Sequence, residues 1–251
     1  MLRKSFCDIF YPYEKVCIDE NLMLYKGRLF FKQYIPSKRN RFGIKSYTLC
    51  DCKTGYVQDL IVYEGKSTVT ESAIVSSLLQ PYLGQGQYLG QGHTLYTDNF
   101  YSNPALFNFL HDSYTNACGT VKKRRQGMPK MEEELEKRKA CFRAAKNLLA
   151  IKWMDKKEVY MISTIHTVNF EAVSRYGGEQ SVQKPICIID YNKSMGIVNK
   201  ADMVLSTMVE KYSHNATGRQ SRPANNPMRL TDRHFPTFCK PKNRRWKCSC
   251  Y

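Results

Sequence analysis

Between His93 and Leu110 the chain reads HTLYTDNFYSNPALFNFL, where a short β-type run, Thr94 to Thr97, gives way to helical spacing at Leu106, Phe107 and Leu110. Asn103 suits an N-cap, and Pro104 suits the first helical position, where no amide hydrogen is needed. Asp98 thus stands at the mouth of a strand-to-helix turn, either as a solvated turn residue or as one member of a metal-binding set. Upstream, FGIKSYTLCDCKTGYVQDLIVYEGK reads as two strands joined around Cys52–Gly55, the first ending at Asp51. In TVTESAIVSSLL, Thr68 and Glu71 have capping-box spacing ahead of Ile74, Leu78 and Leu79. Hairpin, helix, strand and helix in that order predict an α/β core.

Further on, Lys130 to Asn147 is dense in charge and is expected to be helical, with MEEELEKRK its most solvated part. NLLAIKWMDKKEVYMISTIH reads as a second hairpin turning at Asp155–Lys156, with Trp153 as its core aromatic. Residues from Cys118 to about Gln180 are expected to be an insertion between core elements. YNKSMGIVNKADMVLSTMVEKY resumes helical spacing through Val198, Ala201, Leu205 and Met208, and an Asn-, Pro- and Ser-rich linker follows. The near-identical units PYLGQG and QYLGQG, residues 81–92, read as a tandem duplication that lengthens the loop before the Asp98 strand.

Composition narrows the function. At 251 residues the chain can bury one sizeable core. No run approaches about 18 apolar residues, so a membrane-spanning helix is not expected. The start, MLRKSFCDIFYPYEK, lacks the apolar core of a signal peptide. Lysine and arginine number 39 against 22 acids, a net charge of +17 that favours a polyanionic partner, nucleic acid above all. Two clusters carry much of it: Lys122, Lys123, Arg124 and Arg125, and a tail containing Lys242, Arg244 and Arg245. The ten cysteines form no compact disulfide framework, which suits reduced thiols inside the cell. In the tail, Cys239, Cys248 and Cys250 leave only His234 nearby as a fourth donor, so a Zn2+ site is not expected.

Several long motifs, in order, carry a family resemblance: CIDENLMLYKGRLFFKQYIPSKRNRFGIKSYTLCDCKTGY, GHTLYTDNFYSNPALF, ACGTVKKRRQGMPK, AIKWMDKKEVYMISTIH, YNKSMGIVNKADM and RLTDRHFP. The chain resembles the piggyBac-type transposases. The resemblance implies an α/β, RNase H-like transposase core, here incomplete, with an inserted lobe and a short basic cysteine-containing tail. The boundaries expected are 1–117 for the first part of the core, 118–180 for the insertion, 181–212 for the end of the core and 213–251 for linker and tail. It also implies three aspartates holding Mg2+ for DNA cutting and joining, with Asp51 matching the first and Asp98 the second. The family's third motif resembles YNxxMGGVDxxDQ, whereas this chain has MGIVNKAD, so Asn199 stands in the third position and Asp202 matches the acid that follows it. Asp19 and Glu20 of CIDEN are taken as structural.

An amide oxygen at Asn199 carries no negative charge, and losing one anionic ligand is expected to slow phosphoryl transfer by on the order of 10²-fold or more. The leading expectation is a piggyBac transposase-derived DNA-binding protein, or remnant, that does not cut DNA. One alternative is an active metal-dependent nuclease or transposase using Asp51, Asp98 and Asp202, with Asn199 a mere helix cap. A second is a non-catalytic protein-interaction scaffold. The family's segments before Met1 and between about 212 and 229 are expected to be missing, leaving a sheet face for a second copy or another protein to cover. With no signal peptide read, an intracellular, nuclear location is expected.

Overall fold

The computed structural model describes residues 2–25, 27–36, 38, 41–65, 70–82, 92–174 and 181–197, together with strand residues 237, 238, 248 and 249. The chain divides into two units, Met1–Met208 and Val209–Tyr251. In the second unit the described residues are a strand pair, β12 (Thr237–Phe238) and β13 (Cys248–Ser249), antiparallel.

The first unit is built on one mixed sheet. Its centre is β1 (Lys15–Leu24), antiparallel to β3 (Phe42–Asp51) on one side and parallel to β5 (Thr94–Thr97) on the other. The sheet runs in the order β2 (Gln33–Tyr34), β3, β1, β5, β6 (Asn116–Thr120), β9 (Glu158–Ser163), β8 (Leu148–Met154) and β7 (Ala140–Ala145), and β4 (Val57–Val62) also pairs with β3. A second small hairpin joins β10 (Phe170–Ser174) to β11 (Ser181–Pro185).

Strand alternation sorts the core into two faces. Val16, Ile18, Leu49, Leu95 and Ala117 point to one face and pack under α2 (Glu71–Leu79) and α3 (Pro104–Asp112) through Val75, Leu78, Phe107 and Leu110. Cys17, Cys50, Tyr96 and Cys118 point to the other, where they meet Cys187, Ile188 and Met195 of a helix over 186–197, α4. Every residue of β5 is buried, as expected of a parallel strand with helices on both sides. A layer of helix on each face of a mixed sheet matches the RNase H-like fold expected from the sequence.

Local expectations hold where short-range signals are strong. The first hairpin turns at Cys52–Gly55, with Gly55 at a positive φ of 74° that favours glycine. The second turns at residues 155–157. α3 begins as expected, with Asn103 Oδ1 accepting from the Leu106 amide at 2.8 Å. α2 is corrected by two residues: its cap is Thr70, whose hydroxyl accepts from the Ala73 amide, while Thr68 lies outside the described residues.

Two larger expectations change. The charged stretch from Lys130 is irregular as far as Lys139, after which β7 pairs with β8; no helix forms there. Its Glu and Lys residues favour helix, but they bring no apolar stripe to bury, and the exposed edge of β8 satisfies the backbone instead. Much of the stretch expected as an insertion continues the main sheet: β6 is parallel to β5, and β9, β8 and β7 follow. Residues 83–91 of the duplicated PYLGQG/QYLGQG loop, and the helical pattern from Val198 to Met208, lie outside the described residues.

Candidate metal and nucleic-acid site

Asp98 follows the last residue of β5 and is half-buried. Its Oδ1 accepts from the Phe100 amide at 2.9 Å, and its carbonyl accepts from the Ser102 amide (3.1 Å) and hydroxyl (2.8 Å). This tight turn needs Gly119 on the neighbouring strand, because a Cβ there would stand 2.3 Å from Ser102 Oγ and 2.5 Å from the Thr97 carbonyl oxygen. The turn therefore sits against β6 at a place where only glycine fits.

The neighbours of Asp98 follow from strand register. Ile18 pairs with Thr97 and Thr97 with Gly119, so one residue onward Asp98 lies between Asp19 and Thr120. Adjacent strands are about 5 Å apart, and alternation places Asp19 and Asp98 on the face of Cys17 and Tyr96. Electrostatics agree with the geometry. Burial pushes the Asp98 carboxyl above its ordinary pKa, the Phe100 amide works against this, and the negative charges of Asp19 and Glu20 raise it further. Glu20 belongs to the opposite face, where Lys45 Nζ meets its Oε1 at 2.8 Å. Tyr191 of α4 lies over the pair: its hydroxyl is 3.3 Å from Thr120 Oγ1. Burial raises the Tyr191 pKa, Thr120 opposes, and Asp98 and Asp19 raise it again.

Asp51, expected as the first metal ligand, is elsewhere. It pairs with Val16, and Val16 pairs with Leu95, three residues before Asp98. That puts it about 10 Å down the strands and two strands across, on the face of Leu49. Its carboxylate is fully buried and already engaged. Oδ1 accepts from the Tyr13 amide at 2.9 Å; Oδ2 accepts from the amides of Lys53 (3.2 Å) and Thr54 (2.7 Å) and from the Thr54 hydroxyl (2.6 Å). Asp51 organises the hairpin turn and has no face open to a metal shared with Asp98.

Sequence reasoning took Asp19 as structural. The signal that could have found it is the pair of strands VCID and LYTD, each a β-type run delivering an acid, which become neighbours once paired in parallel. Asn199 and Asp202 lie outside the described residues. α4, which precedes them in the chain, lies on the Asp19–Asp98 face, and its Ile197 reaches 3.3 Å from where a Gly55 Cβ would be. Lys242, Arg244, Arg245, Cys239 and Cys250 also lie outside the description, and Cys248 is described by its backbone alone.

The four residues of the first basic cluster separate. Lys122, Lys123 and Arg124 are exposed on the loop leaving β6, next to Thr120 and so next to Asp98. Beside them a cleft of about 470 Å3 is lined by Asn99, Thr120, Val121, Lys123, Glu158 and Tyr160. Arg125 turns inward, donating from Nη2 to the carbonyls of Asn99 and Phe100, both at 2.7 Å, and is corrected from a phosphate contact to an internal one.

Among the described residues no three acid, His or Cys side chains gather as a complete metal site. Two adjacent carboxylates, with Asp19 raising the cost of ionising Asp98, nevertheless fit Mg2+, which takes one or two carboxylates and completes its shell with water and phosphate oxygens.

Helices on both faces of a mixed sheet, with an acid pair at the central parallel strands, form an RNase H-like, transposase-type fold, and the comparisons with known proteins agree. A family model described as Transposase IS4 matches residues 1–225. The human PiggyBac transposable element-derived protein 3 is 29% identical over 233 residues, covering 85% of this chain and 38% of that protein. The human Chimeric ERCC6-PGBD3 protein is also 29% identical over 233 residues, covering 85% of this chain and 21% of its own length. A cryo-EM structure of a piggyBac transposase synaptic complex with hairpin DNA shares the fold, with a TM-score of 0.66 at 24% identity over 81% of this chain and 42% of that one. The chain belongs to the Transposase IS4 family, as a piggyBac transposase-derived protein. It spans well under half the length of the curated relatives it matches.

Proposed function

We propose that this chain is a DNA-binding protein in which Asp19 and Asp98 hold a divalent cation, and in which Asn199 withholds the third charge that strand cleavage needs. The observation that carries the reading is the parallel register of β1 with β5, which sets the two acids side by side next to the exposed Lys122, Lys123 and Arg124. A backbone phosphate seated there would meet the loop's cations, and Mg2+, if bound, would offset charge on a phosphate oxygen, the chemistry that in a cutting enzyme favours attack on phosphorus by water or a 3′ hydroxyl. Around that ion the chain's own groups have clear tasks. The Phe100 amide orients the Asp98 carboxylate, the Ser102 hydroxyl fixes the turn, and Tyr191 shields the pair from the α4 side. The net charge of +17 and a structural relative solved with DNA support the choice of partner. With neutral Asn199 in place of a third carboxylate, we assign binding without cutting.

Fluorescence anisotropy with a labelled duplex across a salt series tests the binding half. Affinity should fall linearly on a log–log plot, and a flat response would remove DNA as the partner. Incubation of a duplex with Mg2+ or Mn2+ tests the other half: the strands should stay intact. Nicking abolished by Asp98→Ala would establish the active-enzyme alternative, with Asp202 the acid to examine next.

A further inference from the structure

We infer that Arg125 is a positioning residue for the metal-binding turn: it holds the backbone after Asp98 in place and does not contact DNA. The inference rests on the acid pair proposed above. Arg125 Nη2 takes both the Asn99 and Phe100 carbonyls at 2.7 Å, and Nη1 lies 3.9 Å from Glu71 Oε1 at the start of α2. One guanidinium thus ties together the β6 loop, the Asp98 turn and α2. Both carbonyls share one nitrogen while the other, Nη1, faces Glu71, so a rigid planar guanidinium serves two directions at once; a lysine ammonium gathers its three donors at one point on a flexible stem.

Its inward direction is built into the loop. The Arg125 amide bonds the Lys122 carbonyl, and the Met128 amide bonds the Arg125 carbonyl, so 122–128 forms two consecutive tight turns. Gly127, at a φ of 84°, brings the chain within 3.3 Å of Pro104 at the start of α3, measured from where its Cβ would be. Met128 packs on the core and Met131 is buried in it. Arg125 keeps 20% of its side chain exposed, against 53% for Lys123 two residues earlier, and its Nε is buried with no partner among the described residues.

The consequence concerns Asp98 directly. Phe100, whose carbonyl Arg125 grips, is the residue whose amide orients the Asp98 carboxylate. On the other side of the turn, Lys45 Nζ lies 5.8 Å from the centre of the Phe100 ring. Releasing the guanidinium would let the 99–100 peptide units swing and would loosen the ligand they aim. Groups that orient a metal ligand commonly contribute about 10- to 100-fold in metal affinity.

Three measurements on the full chain test this, with Arg125→Ala, Arg125→Lys and Lys123→Ala compared with wild type. Arg125→Ala should speed amide hydrogen exchange at Phe100 and Ser102, weaken Mn2+ binding at least about ten-fold, and leave the salt slope of DNA binding unchanged. Arg125→Lys, whose ammonium can reach the carbonyls but not Glu71 as well, should fall between. Lys123→Ala should do the reverse, lowering the salt slope by about one while metal binding and exchange stay as in wild type. The inference is overturned if Arg125→Ala lowers the slope by about one with exchange at residues 100 and 102 unaltered. If the alanine variant does not fold, wild-type exchange rates in Arg125→Met, which keeps the stem and has no donor, overturn it equally. Should wild type show no Asp98-dependent Mn2+ binding, the metal reading fails by itself, and the exchange data still decide the clamp.

Discussion

Asp51 and Asp98 each close a β-strand, yet their carboxylates live in opposite conditions. The Asp51 oxygens receive four hydrogen bonds, three from the turn they organise and one from the Tyr13 amide, whereas Asp98 is half-buried beside other negative charges. Asp51→Ala should therefore cost about 2–4 kcal/mol in urea denaturation, because it strands buried donors, and the folded fraction should still bind Mn2+. Asp98→Asn should do the opposite. A carboxyl whose folded pKa is raised destabilises the fold increasingly as pH rises past its unfolded value near 3.9. Removing that charge should raise the melting temperature at neutral pH and abolish stabilisation by Mn2+. A lower melting temperature for Asp98→Asn would contradict the acid-pair geometry. At this scale the sequence showed which residues cap and turn, through Asn103, Pro104 and Gly55. It could not show that Asp19 matters, because nothing near Asp19 in the chain contains its partner.

Among the elements, α4 adds to its apolar packing on the sheet an ionic tie centred on Asp190. Asp190 Oδ1 meets Lys15 Nζ at 2.5 Å, its Oδ2 accepts from the Tyr96 hydroxyl, and His166 Nε2 lies 3.3 Å from Oδ2 while its Nδ1 bonds Ser163 Oγ at 2.8 Å. Burial pushes the Asp190 carboxyl up, but His166, Lys15 and Tyr96 outweigh it and hold the pKa well below the usual carboxylate range. A depressed acid stabilises fully above its unfolded pKa and loses that contribution as pH falls through the folded value. Asp190→Asn should thus cost about 1–3 kcal/mol at pH 7, and the gap from wild type should shrink below about pH 4. Paired denaturation curves from pH 7 to 3 measure it, and a gap constant with pH would exclude the ionic tie. The sequence marked α4's neighbourhood as helical but read 130–147 as helix too. Composition favoured helix in both, and only a partner surface separates the one that packs from the one that becomes an edge strand.

For the whole molecule, the missing charge at position 199 is the proposed difference between binding DNA and cutting it. Asn199→Asp should tighten Mn2+ binding about ten-fold or more, by analogy with the loss expected when a ligand or its supporting partner is removed, and calorimetric titration measures it. Unchanged affinity would mean that position 199 does not reach the acid pair. The order of hairpin, helix, strand and helix from Phe42 to Asp112, the second hairpin, the Asn103 cap, the basic surface and the family were legible in the chain itself, because each is written in residues a few positions apart or in motifs read in order. Tertiary structure alone chose Asp19 over Asp51 as the neighbour of Asp98 and turned Arg125 away from solvent. Those choices depend on the pairing of strands some 75 residues apart in sequence, where a strand's direction and register determine which side chains share a face. No local pattern encodes that pairing; it is settled when the two faces of the sheet are buried together.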